Sequence, residues 1–173
     1  KPVDLNNLFI NHPDPARLLA RAERYGFPLN CCTWIKGIFA AALEHGVDHV
    51  VTVVSGDCSN MLMLKEVWEG VGVHTTPFAY PQEPDEKAMA AVLADFASRL
   101  CTTVQTAEDV LQSLANARSL ASELDHLTYK ANLATGSENH FWLVSSSDFN
   151  QDVHLFKRQL ETVIRAIKKR KPF

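Results

Sequence analysis

Two rhythms of hydrophobic and polar positions divide the chain. In the first half, helical spacing alternates with short β-branched runs; in the second half, helical spacing continues almost unbroken. "DPARLLARAERYG" predicts a helix with Asp14 as N-cap, Pro15 at its first position and Gly26 closing it. "TWIKGIFAAALEHG" predicts a second helix, Thr33–His45, with Trp34, Ile38, Phe39 and Ala42 on its apolar face and a stop at Gly46. A strand Val50–Val54, a helix Asn60–Glu69 and a short strand Val73–Phe78 follow. Apolar strands joined through helices by short connections are the signature of βαβ units. The expected fold is therefore α/β, a three-layer domain with a mainly parallel sheet.

"TPFAYPQEPDE" separates this part, residues 1–84, from a helical extension over residues 85–173. Helices are predicted from Asp85 to Leu100 and from Thr106 to about Leu133. Thr106-Ala-Glu-Asp109 reads as a capping box, and Val110, Leu114, Ala117, Ala121, Leu124 and Leu127 keep a 3.6-residue stripe. A last amphipathic helix, Gln151 to about Lys169, carries Val153, Phe156, Leu160, Val163, Ile164 and Ile167. Near the start, "DLNNLF" reads as a strand, with Asp4, Asn6 and Asn7 at its end.

Composition narrows the function classes. With 173 residues and 46% hydrophobic content the chain can bury a core. A net charge of −3 argues against a generic nucleic-acid or membrane-surface binder. The basic run at Lys168–Lys171 suits the C-terminus of a helix. No apolar run reaches the roughly 18 residues of a membrane span, and no signal peptide is visible. Four cysteines at irregular spacing are too few for a secreted disulfide framework, so a reducing, cytoplasmic setting is expected.

Those cysteines supply the candidate chemistry. "HVVTVVSGDCSN" runs from strand into helix with Cys58 at the junction, where ligands gather in open α/β sheets. The free N–H groups and dipole of the following helix favour a thiolate there. "NCCTW" puts Cys31 and Cys32 at the start of another helix. Two helix starts, each with a thiol, suggest a shared zinc or iron–sulfur centre. The absence of C-x-x-C and of finger-spaced histidines counts against structural zinc. Cys101, at a helix end in the second half, reads as core filling.

"PVDLNNLF", "GFPLNCCTWIKGIFAAALEHGVDHVVTVVSGDCSN", "PFAYP" and "GSENHFWLVSSSDF" together resemble the 2-hydroxyacyl-CoA dehydratase D-component family. That family also holds benzoyl-CoA reductase subunits and double-cubane-cluster reductases. The resemblance runs over nearly the whole chain and implies a Rossmann-like topology. It also implies a [4Fe–4S] or double-cubane cluster, with Cys32 and Cys58 as ligands, Cys31 being the weaker choice for the first. Expected partners are an ATP-hydrolysing activator protein, an acyl-CoA substrate and either a partner dehydratase subunit or a second copy. The implied chemistry is one-electron reduction of the thioester to a ketyl radical anion, from which the hydroxyl leaves. A low-potential reductase of small molecules and a non-catalytic α/β assembly module are the alternatives.

The resemblance further implies that a strand and helix before "PVDLNN", and a second α/β domain with a third cysteine ligand, lie outside this sequence. Two thiolates cannot saturate a [4Fe–4S] cluster, so the chain alone is expected to bind one weakly or not at all, with zinc on Cys32 and Cys58 the expected adventitious occupant. The chain alone is expected to self-associate and to show no dehydratase activity. Glu138 and His140 in "GSENH" allow acid–base roles or helix capping; Asp4, Asn6 and Asn7 allow a cleft lining or turn chemistry. His45 and His49 are expected in solvent, Trp34 and Trp68 in the core, and Met61 and Met63 in helix packing.

Overall fold

The computed structural model describes residues 2–173, and helices dominate it. The chain folds as two compact units, one of residues 8–107 and one of residues 1–7 with 108–173.

The first unit contains the α/β part. Helix α1 (Leu5–Ile10) ends in it, and α2 (Pro15–Tyr25) opens as its sequence predicts. Asp14 accepts from the Arg17 N–H, Pro15 stands at the first position, and Gly26 closes the helix at φ 117°. Helix α3 (Thr33–Glu44) packs against α2 and is buried on nearly every side, from Ile35 through Ala42. Its glycine is a packing requirement. A Cβ at Gly37 would lie inside the ring of Phe9, so the close approach of α1 to α3 needs no side chain there.

Strand β1 (His49–Ser55), helix α4 (Ser59–Gly70) and strand β2 (His74–Ala79) form one βαβ crossover. The two strands pair in parallel, His49 opposite His74 through Val53 opposite Phe78. Register shifts between Val53 and Ser55, a bulge at the carboxyl end of β1. The sheet is two-stranded among the described residues. The α/β character stands, but in place of an extended sheet there is a parallel pair with helices around it. Local spacing predicts βαβ units, whereas further strands must come from residues with strand pattern, and the "DLNNLF" segment supplies a helix instead. Leu64 and Trp68 of α4 are fully buried, and α5 (Glu86–Arg99) packs against β2 through the Phe78–Phe96 edge contact.

The second unit is helical. It holds most of α6 (Val104–Ser113), and α7 (Ala115–Tyr129), α8 (Gly136–Ser145), a 3₁₀ turn (Phe149–Gln151) and α9 (Val153–Ile167). Its core joins Ala117, Ala121 and Leu124 of α7 to Trp142, Phe149, Phe156, Leu160, Ile164 and Ile167. The predicted continuous helix from Thr106 breaks at Leu114, and its cap is not the Thr106–Asp109 box. Thr103 accepts from the Thr106 N–H, one turn earlier.

Several sequence expectations change here. Asp4 does not end a strand; its carboxylate accepts from the Asn6 N–H and starts α1. Cys101 is exposed rather than buried. It follows the end of α5 at φ 55°, with Thr102 N–H returning to Ala97 O, so it fills the left-handed position that closes a helix. Trp34 is 43% exposed and meets Phe9 edge-on, while Trp68 is buried as expected.

Candidate functional site

Cys32 and Cys58 occupy equivalent local positions. Each is the N-cap residue of a twelve-residue helix, α3 and α4 respectively, and neither side chain makes a capping hydrogen bond. Both thiols are free and exposed. Capping residues are normally Ser, Thr, Asp or Asn, because their oxygen satisfies an N–H of the first turn. A cysteine there supplies no side-chain oxygen to the first turn, and in α4 the Met61 N–H bonds the Cys58 carbonyl at 3.1 Å instead. The helices α3 and α4 pack against each other within the α/β unit.

The loop before Cys58 is fixed by its backbone. Gly56 stands at φ 91°, and a Cβ on it would come within 2.7 Å of the Tyr80 ring. Tyr80 N–H bonds Ser55 O at 3.1 Å, and Ser55 Oγ donates to Tyr80 O at 3.3 Å. Asp57 takes the Cys58 N–H at 2.7 Å. The strand-end bulge, Gly56 and Tyr80 together determine where α4 begins. Sequence reasoning missed Tyr80, although "PFAYP" carried the signal.

The loop before Cys32 is held from below. Phe27 is buried against Phe39, with ring centroids 4.8 Å apart, and Cys31 N–H closes a turn on Pro28 O at 3.0 Å. Lys36, one turn into α3, has a side chain only 4% exposed. Its Nζ meets Glu23 Oε1 at 2.7 Å and Leu29 O at 3.0 Å. Cys31 is half-buried beside Cys32.

The other candidate residues have structural roles. Glu138 completes a capping box with Thr135 and takes two hydrogen bonds from Arg170, at 2.9 and 2.8 Å. The Arg170 guanidinium, with the Thr135 N–H, lowers its pKa to about 2, unsuited to proton transfer near neutrality. His140 is exposed. Asp4 N–H and Asn7 Nδ2 both bond the Asp148 carboxylate, at 3.1 and 2.9 Å, and Asn7 also reaches Ser147. These residues tie the start of the chain to the α8–α9 turn. His45 is exposed, and the largely exposed His49 bonds Thr76 Oγ1 at 2.7 Å.

Free, exposed thiols at two helix starts are the right donor chemistry for a soft metal centre. The number falls short. Among the described residues no three His, Cys, Asp or Glu side chains gather as a metal site. Two thiols could supply only part of the ligand set of an iron–sulfur group. A groove of ≈ 440 Å³ beside β2 and α5 is lined by Pro77, Phe78, Phe96 and Arg99, among others, and by neither cysteine. Among the described residues no helix is long and apolar enough to cross a membrane. No curated protein and no solved structure matches the chain. Residues 14–172 match the family described as 2-hydroxyglutaryl-CoA dehydratase, D-component, a span that includes both cysteine loops and most of both units, and the chain belongs to that family.

Proposed function

We propose that this chain is the iron–sulfur component of a 2-hydroxyacyl-CoA dehydratase-like enzyme, with Cys32 and Cys58 as two thiolate ligands of a [4Fe–4S] cluster. The carrying observation is the pair of exposed, unbonded thiols at the N-caps of two helices that pack together. Chain direction supports their convergence. Helix α4 leaves the carboxyl end of β1, and α3 feeds its amino end through Gly46–Asp48. Twelve residues of α3 span about 18 Å, and seven of β1 about 23 Å. A helix running antiparallel to the strand would bring Cys32 to the level of Cys58, as in a three-layer, Rossmann-like sheet.

When bound, such a cluster supplies low-potential single electrons to an acyl-CoA thioester, delivered to it by an ATP-hydrolysing activator. The chain's own contribution is to hold two sulfurs at the starts of α3 and α4, where the helix dipole favours an anionic group. The remaining ligands come from beyond these two loops. A reducing cytoplasm suits four free cysteines.

Anaerobic reconstitution with ferrous iron and sulfide tests the assignment. Bound iron and acid-labile sulfide per chain should fall to background in Cys32→Ser and in Cys58→Ser, and persist in Cys101→Ser. Iron retention unaffected by the first two substitutions would overturn Cys32 and Cys58 as ligands, whereas a wild-type chain that takes up no iron would favour a non-catalytic α/β module with inert thiols.

A further inference from the structure

Lys36 is a buried charge that the cluster assignment does not use. A lysine with a 4% exposed side chain is unusual, because desolvating an ammonium is costly unless it is paired and hydrogen-bonded. Its two acceptors explain its place. Glu23 belongs to α2, the helix before the cysteine loop, and the Leu29 carbonyl belongs to the loop itself. The side chain of a helical residue leans toward the helix N-terminus, so Lys36 reaches back under the turn that carries Cys31 and Cys32. Residue 36 is also four positions after Cys32, on the same face, and its N–H bonds Cys32 O at 3.2 Å. The Leu29 side chain is 81% exposed and gives the loop no packing hold, so the grip on this residue is through its carbonyl.

We infer that Lys36 is a positioning residue for the Cys32 thiol: its ammonium, fixed by Glu23, clamps the Leu29 carbonyl and so sets the loop that presents Cys32 for metal ligation. This rests on the two-thiol assignment above. An apolar side chain of similar length would fill the space and leave the Leu29 carbonyl without its charged donor. The loop would then sample other conformations, and the two sulfurs would no longer be preorganised for one metal.

The test uses the metal-free, reduced chain with Co(II) as a probe of thiolate ligation, and amide hydrogen exchange as a measure independent of metal. Lys36→Met should speed exchange in the peptide spanning residues 27–34 about tenfold, leaving the peptide around Cys58 unchanged. It should also weaken the thiolate-to-Co(II) charge-transfer signal several-fold in affinity. Glu23→Gln, at the less buried partner, should shift both readouts in the same direction by less, and it carries the test if Lys36→Met does not fold. Unchanged exchange in the 27–34 peptide overturns the clamp. Faster exchange with unchanged Co(II) affinity overturns its role in ligation. A Co(II) signal that is absent, or that survives Cys32→Ser, removes the two-thiol assignment and this inference with it; a signal lost in Cys32→Ser but untouched by Lys36→Met removes this inference alone.

Discussion

The helical unit and the α/β unit begin their helices differently. In the helical unit, α8 and α9 and the 3₁₀ turn have polar caps that are bonded: Thr135 to Glu138 N–H, Asp148 to Asn150 N–H, Asp152 to the N–H groups of His154 and Leu155. In the α/β unit, α2 is capped in the same way by Asp14, and α5 by Asp85. Only α3 and α4, which pack together, carry a cysteine at that position with no side-chain bond. A missing cap costs about 0.5–2 kcal/mol. Twice in one unit, the sequence forgoes that stabilisation and places an exposed sulfur at the helix start. Helix α7, whose N-cap Leu114 also makes no side-chain bond, closes a core, so what sets α3 and α4 apart is the exposed sulfur each carries at its start.

The largest test of that comparison lies in the helical unit, where core packing should dominate. Leu160 is fully buried among Phe156, Trp142 and Ile164. Leu160→Ala should destabilise by about 3 kcal/mol through lost transfer energy and a residual cavity. Denaturant unfolding followed by fluorescence of Trp142, the one tryptophan of this unit, reads the change. A shift under about 1 kcal/mol would mean the core is looser than its burial indicates.

The Glu138–Arg170 pair sharpens the comparison through pH. The folded pKa of Glu138 is lowered from 4.5 to about 2, chiefly by the Arg170 hydrogen bonds. A depressed carboxylate contributes stability that is full above about pH 4.5 and lost as pH falls through about 2. The pair is 30–38% exposed, so screening reduces the contribution to about 1–2 kcal/mol. Acid unfolding of the helical unit should steepen across that window, and Glu138→Gln should flatten it. An unchanged acid profile would assign the acid sensitivity to other carboxylates.

Much of this is legible in the sequence because it is local. Asp14-Pro15 and Gly26 bound α2 by short-range hydrogen bonds and backbone preference, and the β1–α4–β2 crossover follows from spacing. What escapes depends on distant partners. Asn7 binds Ser147 and Asp148, about 140 positions away, so a six-residue segment with two asparagines among four apolar residues becomes a helix that periodicity cannot see. Periodicity misplaces Trp34 because α3 is apolar on nearly every side; spacing then no longer distinguishes a core face. Pattern alone puts Cys58 at its strand–helix junction, but Gly56 and Tyr80, which fix that junction, meet only through the strand pairing.

The smallest effect is the most specific to the comparison. Cys58 has extended backbone angles, φ −71° and ψ 153°, of the kind an N-cap residue adopts. A serine there can accept from the first-turn N–H groups without moving the chain, as Thr135 does for α8. Cys58→Ser should therefore raise stability by about 0.5–1 kcal/mol, while Asp152→Ala at the start of α9 lowers it by about 1 kcal/mol. Both are read as shifts in urea midpoint at constant slope. The opposite signs are the point: one helix start has its cap, and the other has a sulfur in its place. A destabilised Cys58→Ser would show that the thiol already contributes to the fold, and the case for it as a ligand held open would weaken accordingly.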